Sequence, residues 1–86
     1  MDADLTLDCT GLKCPMPVLR AAKALRGMQP GAVLHVTATD KAAPQDFETF
    51  CREGGHDLLG KDTLGETAHG PAIRFRIRRG GYAPEK

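Results

Sequence analysis

From Ala72 to Arg79 the chain alternates without a slip, with Ile73, Phe75 and Ile77 on one side and Arg74, Arg76 and Arg78 on the other. A period of two is the geometry of a strand, so this segment offers one face to a core and one that stays in water. A sheet containing it is covered on one side only. The remaining segments fit that frame. Leu5 to Asp8 alternates over a short span, and the turn Cys9-Thr10-Gly11 ends it. Ala32 to Thr39 alternates too, placing Leu34, Val36 and Ala38 against Val33, His35 and Thr37. His56 to Lys61 reads as a fourth strand, although Leu58 and Leu59 are adjacent and Gly60 breaks the pattern.

Two stretches have helical spacing. From Pro15 to about Arg26, Val18, Ala21, Ala22 and Leu25 fall on one face, with Leu19 and Met28 near its edges. Arg20, Lys23 and Arg26 lie in its second half, where cations suit the helix dipole, and Gly27 followed by Gln29-Pro30-Gly31 marks a stop and a turn. A second helix is expected from Ala43 to Glu53, with Phe47, Phe50 and Cys51 as its patch, Asp46 in its first turn and Gly54-Gly55 at its end. Each helix has a single apolar stripe. One helical layer therefore covers one side of one sheet, giving an α+β two-layer sandwich of order β-α-β-α-β-β with a four-stranded mixed sheet and both helices on one face. The first two connections have the length of crossovers and suit parallel neighbours, while the last two strands pair antiparallel. The other sheet face is left open, carrying Arg74, Arg76 and Arg78 with His35 and Thr37 beside them.

At 86 residues there is material for one domain, expected over residues 1–79, with the Gly- and Pro-containing stretch 80–86 as a mobile tail. No stretch approaches the roughly 18 to 20 apolar residues that span a bilayer, so no membrane role is expected. The opening Met1-Asp2-Ala3-Asp4 is acidic where a secretory leader is basic, which points to the cytoplasm. Twelve Lys and Arg against eleven Asp and Glu leave a formal charge of +1, too balanced for a general polyanion binder. Three cysteines cannot close into pairs, and free thiols suit a reducing compartment.

The chemistry-bearing run is Cys14-Pro15-Met16-Pro17. Proline is tolerated in the first turn of a helix, where its missing N–H has no intrahelical acceptor to lose. Pro15 and Pro17 at the first and third helical positions put Cys14 at or next to the N-cap, where the helix end favours an anion. Such a thiol tends toward thiolate, with values in this setting of roughly 3.5 to 7.5 against about 8.5 for a free cysteine. With Cys14 as N-cap, its sulfur would accept from the Met16 N–H, supported by the dipole and by Lys13. A buried structural cysteine is the alternative. Cys9 could resolve a bond to Cys14 or merely stand by, and Cys51 sits on an apolar helix face. A zinc site has little support, because Cys9 and Cys14 lack ligand spacing and His35, His56 and His69 show no pairing.

The segment Asp8 to Pro17 resembles the N-terminal signature of the TusA/SirA-like sulfur carriers, which joins a glycine to a Cys-Pro-x-Pro helix start. Thr39-Asp40, Asp46-Phe47, Phe50-Cys51, Gly55-His56-Asp57-Leu58 and Arg74 to Arg78 are similar to the family's later landmarks, in order, so the likeness runs from Leu5 to about Arg79. Lys41 stands where relatives often have proline, and Pro44 where they usually have none. The resemblance implies that Cys14 takes up sulfane sulfur as a persulfide and hands it on, as a sulfurtransferase without metal or organic cofactor. Gly11, Lys13, Pro15 and Pro17 would present the thiol. Implied donors are cysteine desulfurases or rhodanese-like proteins. Implied acceptors are thiol proteins of the TusD/DsrE type, in the relay to 2-thiouridine at the tRNA wobble position or in sulfur oxidation.

Two other readings compete. The arginine strip Arg74, Arg76, Arg78 is a candidate docking face for an acidic partner or RNA, and the sandwich resembles the C-terminal domain of a bacterial translation initiation factor. Near-neutral charge and the expected placing of Phe47, Phe50 and Phe75 in the core leave no stacking platform, which argues against direct nucleic-acid binding. Arg79-Gly80-Gly81 is similar to the end of ubiquitin-like carriers, but Tyr82 to Lys86 follow and the element order differs.

Overall fold

In a computed structural model that describes residues 3–81, six elements follow the expected order. They are β1 (Leu5–Cys9), α1 (Met16–Arg26), β2 (Val33–Ala38), α2 (Ala43–Gly54), β3 (Asp57–Thr67) and β4 (Gly70–Arg78). The four strands form one mixed sheet in the order β1-β2-β4-β3. β1 and β2 are parallel, and β4 runs antiparallel to β2 and to β3. The first crossover thus joins parallel neighbours as expected. The second does not, because β4 inserts between β2 and β3. The reason lies in burial: Phe75 and Ile77 of β4 are closed to solvent and Ile73 packs against the same core, and a central position buries such a face along its length.

β3 takes the edge, and it is longer than the expected His56 to Lys61. Its register against β4 slips between Leu58 and Gly60 and again between Thr63 and Gly65, so Leu59 and Leu64 are bulged residues and both are exposed. Leu58 faces Ile77 in the core while Leu59 turns outward, which accounts for two adjacent leucines in one strand. Gly60 lies opposite Arg76, and the guanidinium occupies the place a Cβ would take.

On the covered face α1 contributes Pro17, Ala21 and Leu25 and α2 contributes Ala43, Phe47 and Cys51. Leu19, expected near the edge of the α1 stripe, points outward at 53% exposure. Phe47 stacks on Phe75 with ring centroids 4.7 Å apart, joining α2 to the central strand. Between α1 and β2 the chain turns at Gln29 to Ala32, closed by the Ala32 N–H to the Gln29 carbonyl with Gly31 at φ 88°, as a Pro-Gly turn requires.

The far end of β4 is tied down. Arg79 Nε donates to the Leu25 carbonyl at the end of α1, and the Gly80 N–H donates to His56 Nδ1 at 2.8 Å. Gly80 is buried so close to the Gly55 carbonyl that a Cβ would overlap it. Of the expected tail, residues 82–86 lie outside the described residues. Burial, then the charge of Arg79, holds the His56 imidazole below its usual range. A histidine depressed in the fold contributes stability that is complete above about pH 6.5 and falls as pH drops below that, down through its folded value. Urea midpoints measured from pH 7.5 to 5 are expected to decline, and His56→Asn should flatten that decline.

Candidate functional site

Because β1 and β2 are parallel, the loops that leave them emerge at the same end of the sheet, and each leads into the start of a helix. β4 is antiparallel, so the β3–β4 hairpin arrives there too. The two loops are pinned together. Gly11, at φ 83°, donates its N–H to Thr39 Oγ1 at 3.0 Å, and the His69 ring from the hairpin covers it so closely that a Cβ would crowd it. Leu12 N–H closes a turn onto the Cys9 carbonyl, and Thr10 N–H bonds Asp8 Oδ1. Lys13 and Lys41 line the cleft between the loops together with Asp40 and His69.

Cys14 stands at this end, exposed, with Pro15 at the N-cap position of α1 and Pro17 buried within its first turn. The Cys14–Pro15 peptide bond is cis. The thiol is therefore next to the N-cap, one residue further out than a capping role needs. The Met16 N–H does not reach the sulfur; it bonds the Lys13 carbonyl at 2.8 Å. Instead Cys14 Sγ donates to Asp46 Oδ2 at 2.9 Å, across 32 residues of sequence. The Asp46 hydrogen bond, followed by desolvation and the charges of Asp46 and Asp40, pushes the Cys14 thiol above its usual range. The expectation of a lowered, thiolate-like cysteine is corrected by this arrangement. Prolines remove donors from the helix end, and two carboxylates favour the protonated form.

Asp40 is set by its own loop, where Oδ2 accepts from the Ala42 N–H and its carbonyl accepts from the Ala43 N–H. Asp46 sits in the first turn of α2, where a carboxylate suits the dipole, and Pro44 is tolerated at that helix start. Sγ of Cys14 and one carboxylate oxygen each from Asp40 and Asp46 lie within 4.8 Å of one another. Within this cluster the sulfur hydrogen-bonds to Asp46, while Asp40 accepts from its own loop. Cys9 and Cys51 are buried at 0% and 3% exposure. Burial, then Asp57, pushes the Cys51 thiol up to about 11, so it stays protonated.

Arg74, Arg76 and Arg78 do share the open sheet face, but each meets an acid from β3. Arg74 pairs with Asp62 at 3.2 Å and Arg78 with Asp57 at 2.8 Å. Arg76 Nε lies 3.1 Å from the same Asp62 oxygen, an ion-pair contact without hydrogen-bond geometry. His35 of β2 lies opposite Arg76, and burial followed by Arg74 and Arg76 holds it below its usual range. The strip carries less net charge than its sequence suggests.

The sequence model of the family described as Sulfurtransferase TusA matches residues 5–79. The chain belongs to that family. A Neisseria meningitidis serogroup A protein bearing a sulfur-carrier name is 68% identical over 54 residues, 63% of this chain and 73% of its own. The sulfur carrier protein TusA of Allochromatium vinosum is 44% identical over 79% of this chain and 90% of its own. Among solved structures, the SirA-like protein of Desulfitobacterium hafniense superposes with a TM-score of 0.67 at 27% identity, covering 88% of this chain and 97% of that one. The α+β fold and the sulfur-carrier role follow from these relationships. Among the described residues no helix is long and apolar enough to cross a membrane.

Within this TusA family member the partner that sequence reading missed is Asp46. Its place in the first turn of a helix was legible, but its contact with Cys14 depends on how α1 and α2 pack. Asp46→Asn removes the charge and the strongest acceptor for the thiol proton. Alkylation by iodoacetamide near neutral pH is expected to speed up several-fold in that variant, with the rise of rate against pH shifted to lower pH. An unchanged profile would mean that Asp46 does not hold the proton.

Proposed function

We propose that this chain carries sulfane sulfur as a persulfide on Cys14 and passes it to an acceptor thiol, acting as a sulfurtransferase. The observation that carries the reading is that Cys14 is exposed at the start of α1 while the other two cysteines are buried. Persulfide transfer needs a sulfur that a partner's cysteine can reach. In loading, the Cys14 thiolate attacks the outer sulfur of a donor persulfide; the donor S–S bond breaks and the donor cysteine leaves as a thiolate. In unloading, an acceptor thiolate attacks the outer sulfur now on Cys14, which leaves as a thiolate and is reprotonated. Electrons balance within each exchange, and no cofactor enters.

Gly11 allows the tight loop under His69, Pro15 and Pro17 fix the exit into α1, and Lys13 offers a positive charge beside the transferring sulfur. Residues 1–79 serve as the carrier domain. A cysteine desulfurase or rhodanese-like protein is the donor class, a thiol protein of the TusD/DsrE type is the acceptor class, and a reducing compartment such as the cytoplasm suits the three free thiols. Transfer RNA thiolation and sulfur oxidation are the two destinations in view. The paired arginine face is left outside this mechanism, since Asp57 and Asp62 already meet its charges. Incubation with a cysteine desulfurase and cysteine, followed by intact-mass measurement, should add one sulfur atom per chain, removable by a small thiol. No mass gain under those conditions would defeat the reading.

A further inference from the structure

The two edges of the sheet are finished differently. At β3 the slips at Leu59 and Leu64 break the register, which spoils that edge as a template for another strand. At β1 the register against β2 runs from Leu5 to Cys9 without a slip, and the strand contains no proline. β1 ends the strand order, so its outer backbone groups meet no strand among the described residues. Beside this edge an open groove of about 430 Å³ lies between β1 and α1. Leu5, Leu7, Ala24 and Met28 give it an apolar lining, Arg20 and Lys23 supply its charge, and no acidic residue lines it. Leu5 is 41% exposed. Neither Arg20 nor Lys23 has an acidic partner among the described residues. The nearby acids are engaged elsewhere, Asp4 with the Val33 N–H and Asp8 with the Thr10 N–H.

We infer that the outer edge of β1 accepts an extended segment of a partner protein as a fifth strand, with apolar side chains over Leu5 and Leu7 and acidic ones on Arg20 and Lys23. Backbone hydrogen bonds to the free edge supply affinity, and the groove beside it chooses among segments. Two cations without an acid among the lining residues favour a segment that carries carboxylates and reject a basic one. The same charges work against a second copy of this chain. Two β1 edges joined about a two-fold axis would bring Arg20 and Lys23 of one copy toward their own equivalents. The groove is also set back from the thiol. Cys14 precedes the start of α1, whereas Lys23 lies about 10 Å along the axis from the first residue of that helix. A segment held there leaves Cys14 open, so the protein can be anchored to one partner while its thiol meets another.

The probes are two end-blocked heptapeptides, Glu-Thr-Val-Thr-Val-Thr-Glu and Lys-Thr-Val-Thr-Val-Thr-Lys, titrated into the full chain with its backbone amide shifts followed by NMR. The glutamate peptide is expected to shift the amides of β1 and of the second half of α1, and to bind about fivefold or more tighter than the lysine peptide. That advantage should shrink as salt rises from about 0.05 to about 0.5 M. The double variant Arg20→Glu, Lys23→Glu should invert the preference. N-methylation of the glutamate peptide on alternate residues tests strand addition in the wild-type chain. One alternating set should cost about tenfold or more in affinity and the other little, because a strand turns only one of its edges to β1. Iodoacetamide alkylation of Cys14 should keep its rate at saturating peptide. Absence of shifts in β1, equal binding of the two peptides, or full binding by both N-methylated forms would each overturn the inference. Protection of Cys14 by the peptide would overturn it by placing the segment at the thiol. A concentration-dependent dimer joined through β1 in the peptide-free chain would overturn it by assigning the edge to a second copy.

Discussion

Cys14→Ser is expected to abolish sulfur loading completely, whereas Cys9→Ser and Cys51→Ser keep one sulfur per chain. Serine offers no sulfur to form the new S–S bond, and neither remaining thiol can replace the one lost. Cys9 is closed to solvent beneath the sheet's end, and burial raises its thiol. Cys51 lies at 3% exposure within the core cluster with a thiol pushed up to about 11. At neutral pH that leaves almost no nucleophile, and a donor persulfide has no path to it. The three variants separate chemistry from folding. Cys14 is exposed, so its replacement should change unfolding stability by no more than about 0.5 kcal/mol. Cys51→Ser buries a hydroxyl among apolar groups and should cost about 1 to 3 kcal/mol while sparing the loading. Intact mass after desulfurase treatment and urea midpoints give both readouts. Loading that persists in Cys14→Ser would relocate the carrier to another group.

What the sequence disclosed and what it withheld divide along the range of the interactions involved. Alternation in β4 and the single stripes of the two helices are local patterns, and they were enough to predict a sheet covered on one face. Strand order is a long-range choice. Nothing in the spacing of Ile73, Phe75 and Ile77 says that β4 pairs with β2 as well as with β3; the preference arises from how much apolar area the central position covers. The outer half of β3 was hidden for another reason. Bulges at Leu59 and Leu64 break the period of two, and Gly60, which reads as a defect, is the place where the Arg76 guanidinium lies across the strand. The site divides the same way. Pro15 and Pro17 disclose the helix start and hence where Cys14 stands, but the protonation of Cys14 is governed by Asp46 and Asp40, brought to it by the parallel pairing of β1 and β2. A helix-end argument alone predicted the wrong direction for the thiol, because it leaves out the Asp46 carboxylate that accepts the thiol proton and the charge of Asp40 nearby.

Phe47→Ala is expected to be the most damaging of the core truncations. Phe47 is fully buried, stacked at 4.7 Å on Phe75, and joins α2 to the central strand of the sheet. Removing a buried phenyl ring costs about 3 to 5 kcal/mol, the lost transfer energy plus the void that rigid neighbours cannot fill. A domain of this size has only about 5 to 15 kcal/mol in total, so the urea midpoint should fall by a large fraction of its value. Phe50→Ala is the matched control, since Phe50 is half-buried, tilted against His56 at 5.4 Å, and packs beside the core rather than within it. Its cost should be clearly smaller. The core change also reaches the site. Asp46 precedes Phe47 in the chain, and its carboxylate is held 2.9 Å from the Cys14 sulfur by the seating of α2 on the sheet. Loosening that seat lengthens the thiol–carboxylate contact. Iodoacetamide alkylation of Cys14 in folded Phe47→Ala should therefore rise toward the Asp46→Asn rate, while Phe50→Ala stays near wild type. A strongly destabilised Phe47→Ala with unchanged thiol reactivity would show that the Asp46 contact is fixed by the first turn of α2, independently of the Phe47–Phe75 stack.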